Sequence, residues 1–200
     1  MTTVVGFDFG TTNSLISTIE GGRPTNFLDD GAPFPSVVCY EGARTIIGHE
    51  ANERLGAAGL GVHGNVVRSP KMLLGRESVF IEGVERSPVD IVADLVRYVR
   101  EQVVSSEPWD PGRALDRVVV TIPVNMEGRR RRALRDAFYK AGMNIVQFIH
   151  EPLAALYGHF RSSDDLPAML RRYDRQLALV FDWGGGTLDL TLCRLEDGML

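Results

Sequence analysis

Short alternating and short continuous runs of hydrophobic residues mark the first half of the chain, and both patterns predict β-strands. Glycine, proline and aspartate clusters between these runs, such as 29–36, indicate turns and loops. The predicted strands are 4–9, 14–19, 24–28 and a hairpin formed by 36–40 with 44–48. The first half therefore predicts a β-rich unit with tight connections.

A helical period appears in the middle of the chain. Apolar residues recur at a spacing of three to four over 88–104, with Ser87 as the predicted N-cap and Pro88 at the first helical position. A weaker helix is predicted over 49–59, and 69–75 is predicted to be a loop with one helical turn.

Strands and helices alternate more regularly in the second half. Its predicted elements are a strand at 116–123 buried on both faces, a charged helix at 127–141, a buried strand at 144–149, a helix at 151–160 and a hairpin at 177–195. Such alternation predicts an α/β layered fold.

Two turns resemble each other. FDFGTTNSLI (7–16) and FDWGGGTLDLTL (181–192) each place an aspartate, glycine and threonine between two strand-like runs. Glycines let backbone N–H groups approach a phosphate, threonine hydroxyls add donors, and the carboxylate suits Mg²⁺ or its water shell. One such turn alone is a weak signal that favours a plain hairpin, but two of them could hold a metal-bound nucleotide from both sides.

Composition argues against several classes of protein, namely nucleic-acid binders, membrane-spanning proteins and proteins with cysteine-based metal sites. The 200 residues are 44% hydrophobic and 24% charged with a net charge of −4, which argues against a general nucleic-acid binder. No apolar stretch predicts a membrane span and no basic–apolar leader is apparent, so a cytoplasmic protein is expected. Cys39 and Cys193 lack a metal-ligand spacing and are predicted to be free, buried thiols.

The two commonest nucleotide-binding motifs do not explain the turns. The pattern G-x-x-x-x-G-K-[ST] does not occur, and both turns lead into strands, whereas a Rossmann fingerprint leads into a helix.

Five segments instead resemble one family. FDFGTTNSL and VFDWGGGTLDLTL are similar to the two phosphate motifs of the actin-like ATPase superfamily. SPKMLLGR, VVVTIPVNMEGRRRRAL and IHEPLAALYG resemble three segments of its DnaK-type heat shock protein 70 branch, in the same order. The resemblance implies an α/β, ribonuclease H-like (actin-like ATPase) lobe with a mixed β-sheet flanked by helices.

The resemblance also implies roles for individual residues. ATP or ADP with Mg²⁺ would be the cofactor, and Asp8 and Asp182 would hold the metal through water. The residues implied to bind the nucleotide and its phosphates are Gly10, Thr11, Thr12, Asn13, Gly184, Gly185, Gly186 and Thr187.

Four residues are implied to act in the chemical step, namely Lys71, Glu151, Asp182 and Thr187, and Pro123 and Arg131 are implied to couple nucleotide state to a substrate domain. Each has a plainer interpretation. Lys71 could be a surface lysine, Glu151 an acid favoured by its helix dipole, and Arg131 part of a solvated arginine face at 129–132.

Some positions depart from the family pattern. Asn13 stands where these chaperones usually carry an aromatic residue, and Phe9 and Trp183 replace small aliphatic residues in the two motifs. These differences indicate a divergent relative with one altered wall of the nucleotide site.

The resemblance implies an ATP-hydrolysing module of a chaperone, with residues 1–200 as the first lobe, a smaller subdomain at about 30–115, and neither a second lobe nor a peptide-binding domain. A J-domain co-chaperone, a nucleotide exchange factor and unfolded polypeptide would be partners, with no nucleic acid or membrane. The alternatives are a sugar kinase-type phosphotransferase and a non-enzymatic actin-like assembly module.

Overall fold

The computed structural model describes residues 3–55, 59–107, 109–185 and 187–196. Its strands, in chain order, are β1 (Val4–Phe9), β2 (Asn13–Glu20), β3 (Arg23–Phe27), β4 (Phe34–Pro35), β5 (Val37–Glu41), β6 (Arg44–Ile47), β7 (Gly61–His63), β8 (Val66–Arg68), β9 (Val79–Ile81), β10 (Val84–Arg86), β11 (Arg117–Ile122), β12 (Asn144–His150), β13 (Leu177–Trp183) and β14 (Leu188–Arg194). The helices are α1 (His49–Leu55), α2 (Pro88–Ser105), α3 (Gly128–Lys140), α4 (Glu151–Arg161) and α5 (Leu166–Tyr173), with a 3₁₀ turn at Pro70–Leu73.

A mixed sheet forms the centre of the molecule, in the order β12-β11-β1-β2-β3, and β4 pairs with β2. β1 runs parallel to β11 and antiparallel to β2, so both pairings meet at the strand that carries Asp8. Val5, Phe7 and Phe9 of β1 are buried, as strand alternation requires. The sheet therefore fixes the backbone on which the first acid-glycine turn stands.

Helices α2 and α3 cover the central sheet. The Ser87 hydroxyl caps α2 by accepting from the Val89 N–H, as predicted from the sequence. Phe138 of α3 packs edge-to-face against Phe7 and Phe9, with ring centroids 5.0 and 6.0 Å apart. These aromatic contacts anchor α3 behind the strand that leads into the first turn.

A smaller sheet, in the order β6-β5-β8-β7, packs with α1 and lies within the predicted subdomain at about 30–115. Helix α2, from the same range, instead buries its apolar face in the main core. Trp109 also belongs to that core, with its ring 5.8 Å from Phe27. The division of the chain into a lobe and a subdomain stays a prediction.

Strands β13 and β14 form a separate antiparallel hairpin. One of its faces packs with α4 and α5 in an apolar cluster of its own that includes Leu156, Phe160 and Cys193. The other face is apolar and exposed, and its members are Leu177, Leu179, Phe181, Trp183, Leu188, Leu190 and Leu192. We call this second set the hairpin face.

Architecture and element types agree well with the sequence prediction. The mixed α/β class, both glycine-turn hairpins, α2, α3 and α4 are confirmed. Cys39 and Cys193 are buried and free, also as predicted. Among the described residues, no helix combines the length and apolarity needed to cross a membrane.

The predicted burial of two strands is wrong in part. In β11 only alternate residues are fully buried, and Thr121 on its other face borders the cavity described below. β12 is an edge strand of the central sheet and exposes Val146. The weak helix predicted over 49–59 ends at Leu55, and residues 56–58 lie outside the described part.

Candidate functional site

A cavity of about 550 Å³ opens between the central sheet and the β13–β14 hairpin. Eleven of the predicted site residues line it: Asp8, Gly10, Thr11, Thr12, Asn13, Lys71, Glu151, Asp182, Gly184, Gly185 and Thr187. Gly186 lies outside the described residues, while Pro123 and Arg131 are not among the lining residues. Segments far apart in the sequence therefore converge on one cavity.

The first turn, residues 10–12, follows β1 directly and reverses the chain into β2. A Cβ at Gly10 would overlap the carbonyl oxygen of Asn13, so the turn is too tight for any side chain there. Glycine at this position leaves the backbone accessible from the cavity.

The second turn packs directly on the first. The Gly184 N–H donates to the Thr187 carbonyl oxygen at 2.9 Å and closes the hairpin. A Cβ at Gly185 would overlap the Thr12 hydroxyl, so the two turns touch at this point. The Thr12 Oγ1 is itself buried without a protein partner, which leaves a donor at the junction of the turns.

Lys71 is almost completely buried, with 4% of its surface exposed. Its Nζ donates to Glu151 Oε1 at 2.6 Å and to the carbonyl oxygen of Phe9 at 2.6 Å. A buried ammonium requires such partners, because removing an unpaired charge from water is strongly unfavourable. The interpretation of Lys71 as a surface lysine is therefore wrong.

Glu151 is the first residue of α4 and is followed by Pro152, so its carboxylate lies at the positive end of the helix dipole. Burial raises the pKa of Glu151 above its ordinary value; the carboxylates of Asp8 and Asp182 add to this rise, whereas Lys71 opposes it. The helix interpretation of Glu151 is thus correct as far as it goes, but the carboxylate also pairs with Lys71.

Asp8 is an exposed residue of β1 between the buried Phe7 and Phe9, and its Oδ1 accepts a hydrogen bond from the Thr121 hydroxyl at 2.5 Å. Thr121 was not predicted from the sequence as a site residue. Its signal was available, because Thr121 is the first polar residue of the apolar run in β11, the parallel neighbour of β1. Thr121 fixes one carboxylate oxygen and leaves the other for a ligand.

The arginines at 129–132 do not share one environment. Arg131 Nε donates to the Met126 carbonyl oxygen at 2.8 Å, and the Met126 N–H donates to the Pro123 carbonyl oxygen at 3.2 Å. Arg130 instead contacts the segment that carries Lys71, and its Nη2 donates to the carbonyl oxygen of Lys71 at 3.3 Å. The interpretation of this run as a solvated face is therefore wrong for the two central arginines, which are half-buried against backbone carbonyls, while Arg129 and Arg132 are exposed.

The donor set suits a magnesium ion that is shared with phosphates. Among the described residues there is no group of three or more histidine, cysteine, aspartate or glutamate side chains that could hold a metal by itself. Asp8 and Asp182 nevertheless both border the cavity. Magnesium commonly takes one or two carboxylates and completes its octahedron with water and substrate phosphates, so these residues fit it.

The chain is similar to one protein family and to several curated proteins. The model of the family described as "Hsp70 protein" matches residues 65–200. The chain is 31% identical over 198 residues to the chaperone protein DnaK of Metamycoplasma hominis, which covers 98% of the chain and 31% of that protein. It is 30% identical over 220 residues to the chaperone protein DnaK of Deinococcus radiodurans, a match that covers 100% of the chain and 33% of that protein. It is 31% identical over 221 residues to the chaperone protein HscA homolog of Acidithiobacillus ferrooxidans, a match that covers 98% of the chain and 33% of that protein. The chain spans about a third of the length of these curated relatives.

Proposed function

The chain belongs to the Hsp70 family, and from this premise we propose that its cavity binds the phosphates of ATP or ADP and takes part in ATP hydrolysis. One observation carries the proposal above the others. A buried lysine, Lys71, is ion-paired with Glu151 on the wall of a cavity that is bounded by two glycine-threonine turns. The names of the relatives, DnaK and HscA chaperones, favour the chaperone branch over a sugar kinase or an assembly module.

We propose that the two turns hold the phosphates from opposite sides. The first turn supplies backbone N–H groups and the hydroxyls of Thr11 and Thr12, and Asn13 lies beside them. The second supplies Gly184, Gly185, Gly186 and the hydroxyl of Thr187, which would lie near the terminal phosphate. The contact between Gly185 and Thr12 supports this arrangement, since it brings the turns close enough to share one polyphosphate chain.

Asp8 and Asp182 are proposed to hold Mg²⁺ through water. When bound, the ion would neutralise phosphate charge and orient the leaving group. The hydrogen bond from Thr121 supports the assignment, because it presents Asp8 in one fixed orientation.

Lys71 and Glu151 are proposed to act on the bond that breaks. Phosphoryl transfer depends mainly on positioning and electrostatic stabilisation. The Lys71 ammonium would stabilise charge on the transferring phosphoryl group, and Glu151 would orient the attacking water. Asp182 and Thr187 would complete this set from the second turn.

The experiment that tests the proposal is Lys71→Ala in the protein that contains this chain. We expect single-turnover ATP hydrolysis to fall by about 100-fold or more, as when one charge-stabilising donor is removed, while ADP binding is retained. Lys140→Ala is the matched control, because Lys140 is the other lysine of the chain and its ammonium group forms an exposed pair with Asp90. An unchanged hydrolysis rate in Lys71→Ala would remove this residue from the mechanism.

Wider roles follow from the family and remain proposals. Pro123 and Arg131 would couple nucleotide state to binding of unfolded polypeptide, with a J-domain co-chaperone and a nucleotide exchange factor as partners and a cytoplasmic location. The chain of hydrogen bonds from Arg131 through Met126 to Pro123 supports a joint role for this pair.

A further inference from the structure

Ser36 lies between β4 and β5, has no exposed surface, and makes hydrogen bonds with two separate parts of the candidate site. Its backbone N–H donates to the Thr12 carbonyl oxygen at 2.8 Å, and its hydroxyl donates to the Gly10 carbonyl oxygen at 3.1 Å. Its own carbonyl oxygen accepts from the Ser69 N–H at 3.0 Å, two residues before Lys71. One buried residue thus contacts both the first turn and the segment that carries the lysine.

We propose that Ser36 is the positioning residue of the first phosphate turn, an inference that rests on the proposed function. Its hydroxyl holds the Gly10 carbonyl group on the protein side of the turn. In a planar trans peptide the C=O and the following N–H point in opposite directions. The Thr11 N–H is therefore directed away from Ser36, which does not line the cavity, and is left free to donate to a phosphate.

Without the Ser36 hydroxyl, the Gly10 carbonyl loses the partner that fixes it. A glycine peptide rotates easily, because glycine populates both signs of φ. A rotated peptide would present a carbonyl oxygen, the negative end of the dipole, to the phosphate. Ser36 acts through Gly10 and does not touch the nucleotide itself.

The hydrogen bond between Ser36 and Ser69 also fixes the segment that carries Lys71. Ser69 is fully buried and has a φ of 63°, a conformation that a non-glycine residue keeps only when its surroundings hold it there. Two hydrogen bonds hold Ser69 in this conformation. Its N–H donates to the Ser36 carbonyl oxygen at 3.0 Å, and its own carbonyl oxygen accepts from the Met72 N–H at 3.0 Å. Ser36 is therefore hydrogen-bonded both to the first turn and to the residue that precedes the 3₁₀ turn at Pro70–Leu73, which we call the Lys71 turn.

Ser14 supplies a matched control. Its hydroxyl is equally buried and lies 3.0 Å from the Ser36 hydroxyl, but it has no bond to the first turn. Ser14→Ala removes a buried hydrogen bond from the same pair and keeps the bond from Ser36 to Gly10. Ser36→Ala removes both bonds.

The test compares Ser36→Ala and Ser14→Ala in the protein that contains this chain, with ADP and magnesium as the probe. Calorimetric titration should show about 10-fold weaker ADP binding in Ser36→Ala, the effect of one lost hydrogen bond, and less than about 2-fold weakening in Ser14→Ala. Ser36→Cys, which has a similar size and a weaker donor, should give an intermediate affinity and covers the case in which Ser36→Ala does not fold.

A second readout needs no nucleotide. NMR order parameters of the Thr11 and Thr12 amides should fall in Ser36→Ala and stay unchanged in Ser14→Ala. Equal ADP affinities and equal order parameters in the two variants would overturn the role of Ser36. If the unmutated protein does not bind ADP, the proposed function fails, while the order parameters still decide whether Ser36 fixes the turn.

Discussion

At the scale of single residues, the first turn depends on the missing side chain of Gly10. We predict that Gly10→Ala weakens ADP binding by at least about 10-fold, because the added methyl group has to push the Asn13 carbonyl group out of place. The free energy of unfolding should also fall, by about 1–3 kcal/mol. Calorimetric titration and chemical denaturation measure the two effects.

Gly6→Ala is the control for this substitution. Gly6 lies in β1, the strand that leads into the turn, and a methyl group there would have its nearest neighbour, the Ser17 hydroxyl, at an ordinary 3.4 Å. We expect ADP affinity to stay unchanged and the free energy of unfolding to change by less than about 1 kcal/mol. If both variants bound ADP like the unmutated protein, the steric account of the turn would be wrong.

Residue chemistry was predictable where it followed a sequence motif. Lys71 and Glu151 were assigned from the segments around them, although they are 80 positions apart, and the structure brings their side chains into contact. Ser36 lies in none of the matched segments, and Thr121 lies in VVVTIPVNMEGRRRRAL but is neither a glycine nor a charged residue. Their importance comes from the partners that strand pairing gives them, and a serine in a loop has many possible partners before the fold is known.

At the scale of secondary-structure elements, α3 is tied to the Lys71 turn by Arg130. The Arg130 Nη2 donates to the Lys71 carbonyl oxygen, and its Cγ would lie 3.1 Å from a Cβ at Gly75, where φ is 94°. A side chain at Gly75 would therefore crowd the arginine stem that holds the turn. Arg130 links the helix that carries Arg131 to the segment that carries the proposed catalytic lysine.

We predict that Arg130→Met slows single-turnover ATP hydrolysis by about 3- to 10-fold, because the Lys71 turn loses one hydrogen bond of ordinary strength. Methionine keeps much of the apolar stem, so the free energy of unfolding should change by less than about 1 kcal/mol. Arg132→Met, at an exposed position two residues further along the arginine run, should change neither quantity. Equal hydrolysis rates in the two variants would show that α3 does not control the turn.

Long periodic elements were easier to predict than short ones. Helix α2 has a serine cap, a first-position proline and buried apolar residues at helical spacing, so its sequence contains its own boundaries. The strands β7 to β10 are only three residues long and form two short hairpins, β7 with β8 and β9 with β10, so none of them is long enough to show a clear alternation. Helix α5 was missed because it spans only eight residues, about two turns, although its apolar residues recur at helical spacing, namely Leu166, Met169, Leu170 and Tyr173.

At the scale of the whole molecule, the hairpin face is the most unusual surface. Leu179 and Leu192 are cross-strand partners on it and are 64% and 63% exposed. Isolated apolar side chains are common on protein surfaces, but a contiguous set of seven marks a surface that favours association.

We predict that the 200-residue polypeptide self-associates through the hairpin face and that the double substitution of Leu179→Thr with Leu192→Thr reduces this association. Threonine is compatible with a strand, so the hairpin itself should persist. Sedimentation velocity over a range of concentrations measures the change. Ile19→Thr is the control, because Ile19 is 68% exposed but lies on β2, away from the hairpin. Equal association in the two variants would exclude the hairpin face as the cause.

The two tryptophans give the molecule two optical reporters in opposite environments. Trp109 is 4% exposed in the core, whereas Trp183 is 79% exposed and immediately precedes the second turn. Indole emission shifts to longer wavelengths in water, so the red edge of the spectrum belongs mainly to Trp183 and the blue edge to Trp109. The fluorescence of the unlabelled protein therefore separates events at the second phosphate turn from changes in the core.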